Sequence, residues 1–206
     1  MAWMNQIHME VGIIIIIINI IMVMKKKVNF LKISKNYNNI KIFITDIDGV
    51  WTDGGMYYDN QENEFKKFNT RDSIGVNFLK SLQIPTVIIT SEKTNIVQRR
   101  ANKLNISDCF LGVKNKLDIC LTICEKHQIS IDEVAFIGDE INDLELIKKV
   151  GLSACPLDAA DYVKDVVDWV LNKKGGEGVF REFVIKFLKE TNQYNKVLEK
   201  NIEYFK

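Results

Sequence analysis

Residues 41–55, KIFITDIDGVWTDGG, decide how this chain is read. Ile40, Ile42, Phe43, Ile44 and Thr45 form an apolar, β-branched run that reads as a buried strand, and it leads directly into Asp46, Asp48 and Gly49. In an open α/β sheet, ligands bind in the crevice beyond the carboxyl ends of the strands, so acids placed there face a ligand and not the core. Two residues apart in extended chain, Asp46 and Asp48 point the same way, while Gly49 lets the backbone turn sharply and approach an ion or a phosphate. Two such carboxylates repel each other unless a cation lies between them or one is protonated. Mg²⁺, which takes hard oxygen ligands together with substrate phosphates, resolves that conflict. The same letters alone also fit a strand followed by an acidic, solvated turn.

The wider composition narrows the choice. At 206 residues, 47% hydrophobic and 27% charged, the chain suits one domain with a sizeable core. Its 28 Lys and Arg balance 27 Asp and Glu, so no long-range field steers it to nucleic acid or to a membrane. Cys109, Cys120, Cys124 and Cys155 show no C-x-x-C spacing, which favours reduced thiols in the cytoplasm. Cys120 and Cys124 share a helix face, but no other Cys or His stands at ligand spacing, so they read as core thiols. With only His8 and His127, Ser-His-Asp and Cys-His catalysis have almost no material, and His127 reads as a capping or surface residue. Residues 11–24 are apolar apart from Asn19 and precede Lys25, Lys26 and Lys27. That run is shorter than the roughly 20 residues a membrane-spanning helix needs, and its charges follow it where a secretory signal places them before. Residues 1–39 are therefore expected to be a poorly ordered extension, with Met24 a plausible start and a signal anchor the alternative.

Outward from the first acids, 56–59 and 64–69 read as a hairpin across the polar turn 60–63. A helix is expected over 71–83, then a strand over 86–89 ending at Thr90 and Ser91. A basic helix follows over 94–104 with Lys93, Arg99, Arg100 and Lys103, then a short strand at 109–111 and a helix over 117–127 with Lys116 at its start. A fourth strand, 134–137, opens into GDEIND, which carries Asp139 and Asp143. Further alternation, with strands at 152–155 and 169–171 and helices near 146 and 159–166, makes this an α/β, doubly wound, mostly parallel sheet.

In order, the strand ends offer Asp46 and Asp48, then Thr90, then Lys116, then Asp139 and Asp143. Taken together this set resembles the haloacid dehalogenase superfamily, which implies a Rossmann-like phosphatase fold. The resemblance implies Asp46 as the nucleophile that becomes an aspartyl-phosphate and Asp48 as the acid and then the base. It implies Thr90 and Lys116 as partners of the phosphoryl group, and Mg²⁺ held by Asp46, the carbonyl of Asp48 and Asp139, with Asp143 orienting metal waters or Lys116. The inserts between the motifs hold only a hairpin and helices, so the protein should be capless.

GVWTDGGMYY before the hairpin, together with GGEGVFREF, resembles the 3-deoxy-D-manno-octulosonate 8-phosphate phosphatase family over about residues 40–188. That family implies a Mg²⁺-dependent homotetramer acting on a small sugar-acid phosphate, with hairpins forming a central barrel and the tail reaching a neighbour's site. Residues 40–190 would form the phosphatase domain, and 191–206 a tail that reads as an amphipathic helix or a disordered end. Where the octulosonate enzymes read T-G-R, this chain has Thr90, Ser91 and Glu92, followed by KTNIVQRRANKL, which is similar to the 2-keto-3-deoxynononate 9-phosphate branch. By that match Ser91, Glu92, Arg100 and Lys103 would contact the sugar acid, or an N-acylneuraminate 9-phosphate, and Gly176 and Gly178 would join them. Helix-surface charge and a simple glycine turn remain the alternatives for these residues. A receiver-like signalling domain also uses strand-end acids, Mg²⁺, Thr and Lys, but lacks GDxxxD after the lysine.

Overall fold

The computed structural model describes residues 35–204 and, before them, Ile14 alone. The expected N-terminal extension thus lies largely outside the described residues. Among those described, no helix is long and apolar enough to cross a membrane.

The elements run β1 (Ile42–Thr45), β2 (Tyr57–Tyr58), β3 (Glu64–Phe65), α1 (Asp72–Ser81), β4 (Thr86–Ile89), α2 (Asn95–Lys103), β5 (Cys109–Phe110) and α3 (Lys116–His127). They continue with β6 (Val134–Ile137), α4 (Leu144–Ile147), β7 (Leu152–Cys155), α5 (Asp161–Lys164), β8 (Trp169–Val170), α6 (Val179–Glu190) and α7 (Tyr194–Tyr204). Six strands form one sheet in the order β5-β4-β1-β6-β7-β8, and every pairing in it is parallel. β2 and β3 stand apart as an antiparallel hairpin.

β1 is buried along its whole length because helices cover both faces of the sheet. Its alternation sorts the core into two layers. Phe43 packs with Val76 and Leu79 of α1 and with Phe183 and Phe187 of α6, its ring lying 5.2 Å and 5.0 Å from theirs. Ile42 and Ile44 face the other way, towards Cys120 and Ile123 of α3 and Leu146 of α4. Cys120, Cys124 and Cys155 are buried free thiols, as core thiols should be. His127 ends α3, 4.0 Å from Asp108, in keeping with a capping or surface residue.

The tail takes the helical option. Val197 of α7 is buried, and Lys200 and Asn201 donate to the carbonyl and hydroxyl of Ser81, so α7 is docked on the end of α1. At the other end, Tyr37 meets Trp169 edge-on at 5.0 Å, so the packed unit reaches back past Ile40. The hairpin and α1 are all that separate β1 from β4, and the fold is capless.

The order of the sheet positions the chemistry. β1 lies between β4 and β6, and the chain winds away from it in both directions. The carboxyl ends of these three strands carry Asp46, Thr90 and Asp139, which meet at the switch point where such sheets bind ligands.

Candidate active site

The end of β1 is held from several sides. Asp46 N donates to Ile137 O at 3.0 Å, carrying the ladder one residue past the strand. The Thr45 hydroxyl donates to Asp46 O at 2.7 Å and accepts from Trp51 Nε1 at 2.8 Å. Gly49 then turns with φ +77, a left-handed conformation that favours glycine, and a Cβ there would overlap Asp139 Oδ2. Only a glycine lets the first loop approach the fourth strand's acid so closely.

Behind Asp46 lies a buried ammonium. Lys116, the first residue of α3, is fully buried, with Nζ 3.0 Å from Asp46 Oδ1 and 2.6 Å from Asp143 Oδ1. Asn115 caps that helix through the backbone N–H groups of Leu117 and Asp118, which fixes where Lys116 begins. The other oxygen of Asp143 accepts from Asp139 N at 2.9 Å and Glu140 N at 3.2 Å. Asp143 is therefore committed to holding Lys116 and shaping the loop.

Asp46, Asp139 and Asp143 each bring a carboxylate oxygen within 4.8 Å of the others. One ammonium cannot neutralise three acids. Burial, and then the charge of Asp143, push the Asp46 carboxyl up to about 7 although Lys116 pulls it down. Burial, Asp46 and Asp143 push Asp139 up to about 8. Burial opposes the charge on Lys116, but Asp46 and Asp143 outweigh it and raise its pKa. Asp139 Oδ1 and Asp48 Oδ2 are buried with no hydrogen-bond partner. Uncompensated hard oxygens gathered at one point fit a divalent cation.

Asp46 and Asp139 open onto a cavity of about 290 Å³ lined also by Asp48, Thr90, Ser91 and Glu92. Thr90 is buried, and its hydroxyl accepts from Glu92 N at 3.3 Å. Ser91 Oγ accepts from Asn142 Nδ2 at 2.8 Å, tying the loop after β4 to the one after β6. The expected residues Asp46, Asp48, Thr90, Ser91, Glu92 and Asp139 thus share one cavity, with Lys116 and Asp143 directly behind.

Arg100 and Lys103 are not brought to it within one chain. They line a separate cleft of about 390 Å³ with Lys66, Phe68, Ile96 and Arg99. Arg100 there donates to Asn69 O at 3.1 Å and lies over the Phe68 ring at 5.7 Å. Gly176 and Gly178 are also outside the cavity. Gly176 braces the loop after β1, donating to Val50 O and accepting from Asn69 Nδ2, both at 2.9 Å, and Gly178 with φ +85 precedes α6.

Two charged residues at the site escaped sequence reasoning: Glu140, which lines the cavity, and Lys66. Lys66, next to β3 in the hairpin, places Nζ 2.6 Å from Asp48 Oδ1 with its side chain wholly buried. The single hint in the sequence is that Lys66 and Glu64, two apart in an extended arm, point the same way.

Comparison with known proteins agrees with this geometry. The family of haloacid dehalogenase-like hydrolases matches residues 16–183. The 3-deoxy-D-manno-octulosonate 8-phosphate phosphatase of Haemophilus influenzae is 38% identical over 144 residues, covering 70% of this chain and 80% of that one. The crystal structure of the Moraxella catarrhalis phosphatase of the same name, in complex with magnesium, phosphate and KDO, superposes with a TM-score of 0.77 at 30% identity, over 80% of this chain and 94% of that one. A cobalt-bound form from Haemophilus influenzae superposes with a TM-score of 0.73 at 35% identity, over 77% of this chain and 92% of that one. This chain belongs to the 3-deoxy-D-manno-octulosonate 8-phosphate phosphatase family of the haloacid dehalogenase-like hydrolases.

Proposed function

We propose that the protein hydrolyses 3-deoxy-D-manno-octulosonate 8-phosphate to the free sugar acid and phosphate, with Mg²⁺ as cofactor. The observation that carries this reading is the nucleophile's setting: Asp46 is held at 3.0 Å by a buried lysine, beside Asp48 in an open cavity. Relatives of that name support the substrate.

Asp46 attacks phosphorus as the ester bond to the sugar oxygen breaks, giving an aspartyl-phosphate, and Asp48 gives its proton to the departing oxygen. Asp48 then takes a proton from water, which attacks the phosphorus and releases phosphate with Asp46 restored. Thr90 donates to a phosphoryl oxygen. Lys116 keeps Asp46 oriented and offsets its charge as the phosphate approaches, with Asp143 fixing Lys116. Asp46, the backbone carbonyl of Asp48 and Asp139 would hold the Mg²⁺, which supplies charge neutralisation between carboxylate and phosphate.

Since Arg100 and Lys103 line a different cleft, they meet the sugar carboxylate only where assembly sets one copy's cleft against another's cavity. Exposed Tyr57, Tyr58 and Phe65 on the hairpin support a homotetramer built through it. Four free thiols support a reducing compartment, the cytoplasm.

Glu92 favours a second reading. It lines the cavity beside Thr90, where a carboxylate can accept from additional hydroxyls or an amide of a nine-carbon sugar acid. Comparing kcat/KM for the eight- and nine-carbon phosphates in Mg²⁺ tests the choice. Higher efficiency on octulosonate 8-phosphate upholds the first reading, and higher efficiency on the nononate 9-phosphate replaces it with the second.

A further inference from the structure

Lys66 has a place in the site that neither the fold nor the metal explains. Its residue position is on the hairpin, a surface element, yet its side chain has no exposure. Burying an ammonium is costly unless it is paired, so its partners define its role. They are Asp48 Oδ1 at 2.6 Å and, more distantly, Glu64 Oε1 at 3.8 Å. Thr52 Oγ1 donates to the same Asp48 Oδ1 at 3.3 Å. One oxygen of Asp48 is thus claimed twice, while Oδ2 is buried with no partner in a residue that lines the reaction cavity.

We propose that Lys66 is the positioning residue of Asp48: by clamping Oδ1 it fixes the orientation of the carboxyl that exchanges a proton with the leaving group. This rests on the acid role given to Asp48 above. The protonated carboxyl keeps its Oδ1 contact with Lys66, so its orientation is held. As the bond from phosphorus to the leaving oxygen breaks and the bond to Asp46 forms, that proton passes to the leaving oxygen. Without the clamp the carboxyl rotates about its side-chain torsions, and either oxygen can carry the proton in an unproductive direction. Lys66 also makes the hairpin part of the chemistry, since the return arm sets the acid's rotamer.

The consequence depends on how much help the leaving group needs. A weakly acidic leaving group requires protonation as it departs, whereas p-nitrophenolate leaves without it. The value of kcat/KM reports steps up to loss of the leaving group, so it isolates the acid role from the later base role. In Lys66→Met, kcat/KM for phenyl phosphate is expected to fall about 30-fold or more, part of the roughly 10²–10⁴-fold that general acid catalysis contributes. For p-nitrophenyl phosphate, of nearly the same shape, the fall should stay within about threefold, and Lys66→Arg should restore much of the loss on phenyl phosphate. Equal falls on both esters, or no fall on either, would overturn the proposal. If Lys66→Met does not fold by circular dichroism, Lys66→Gln is judged by the same ratio. Absence of Mg²⁺-dependent turnover of both esters by the unmodified enzyme would instead overturn the phosphatase reading, and the Lys66 proposal with it.

Discussion

Lys116 faces three carboxylates with one positive charge, and that imbalance has a thermodynamic signature. Asp46 and Asp139 titrate in the folded protein near 7 and 8, against an ordinary value of 3.8. An acid whose folded pKa is raised binds its proton more tightly folded than unfolded, so stability falls as pH rises from the unfolded value through the folded one. With metal removed by EDTA, the melting temperature is expected to drop by about 5 °C or more between pH 5 and pH 8.5, and saturating Mg²⁺ should restore most of it at the higher pH. Differential scanning fluorimetry across pH with and without Mg²⁺ reads this directly; a metal-free protein equally stable at both ends would contradict it. At this scale the site was largely legible, because acids and hydroxyls placed at strand ends carry their address in the local pattern. Lys66 was not, since its partner lies 18 residues away and only the folded hairpin brings the two together.

Elements are set by close approach as much as by pattern. α1 and α6 touch at Gly75, where a Cβ would stand 3.1 Å from Arg181 Cα and 3.2 Å from Phe180 Cδ1. α6 cannot simply retreat, because Arg181 N donates to the buried Asp72 Oδ1 at 3.0 Å. Ala at that position gains up to about 1 kcal/mol of helix propensity but overpacks the interface by about 1–3 kcal/mol. Overpacking wins, so Gly75→Ala should lower the melting temperature by roughly 3 °C, and an unchanged or raised value would contradict this contact. The central strands and the long helices were readable from apolar runs and capping residues, as with Asn115 before α3. Less was readable where tertiary contacts set the boundary. The hairpin strands shrink to Tyr57–Tyr58 and Glu64–Phe65, and the tail, which reads locally as either an amphipathic helix or a disordered end, is the helix α7 with Val197 buried beside α1.

At the level of the molecule, the parallel sheet places the first and fourth acids side by side, and the hairpin projects from the rim. Tyr57 and Phe65 pair across that hairpin and are both exposed. If the proposed homotetramer is built through this aromatic pair, Phe65→Glu should convert it to smaller species in analytical ultracentrifugation and lower kcat/KM for the sugar-acid phosphate about tenfold or more. A tetramer unaffected by the change would place the contact elsewhere. The placement of Arg100 and Lys103 in a cleft apart from Asp46 could not be read from spacing, because a helix face indicates direction only once the sheet order is known. The central claim is that Asp46 itself takes up the phosphoryl group. Quenching the Mg²⁺-loaded enzyme during turnover, reducing it with borohydride and mapping its peptides should find residue 46, and not residue 48, converted to homoserine. Modification at Asp48, or an unmodified chain while phosphate is being released, would contradict it.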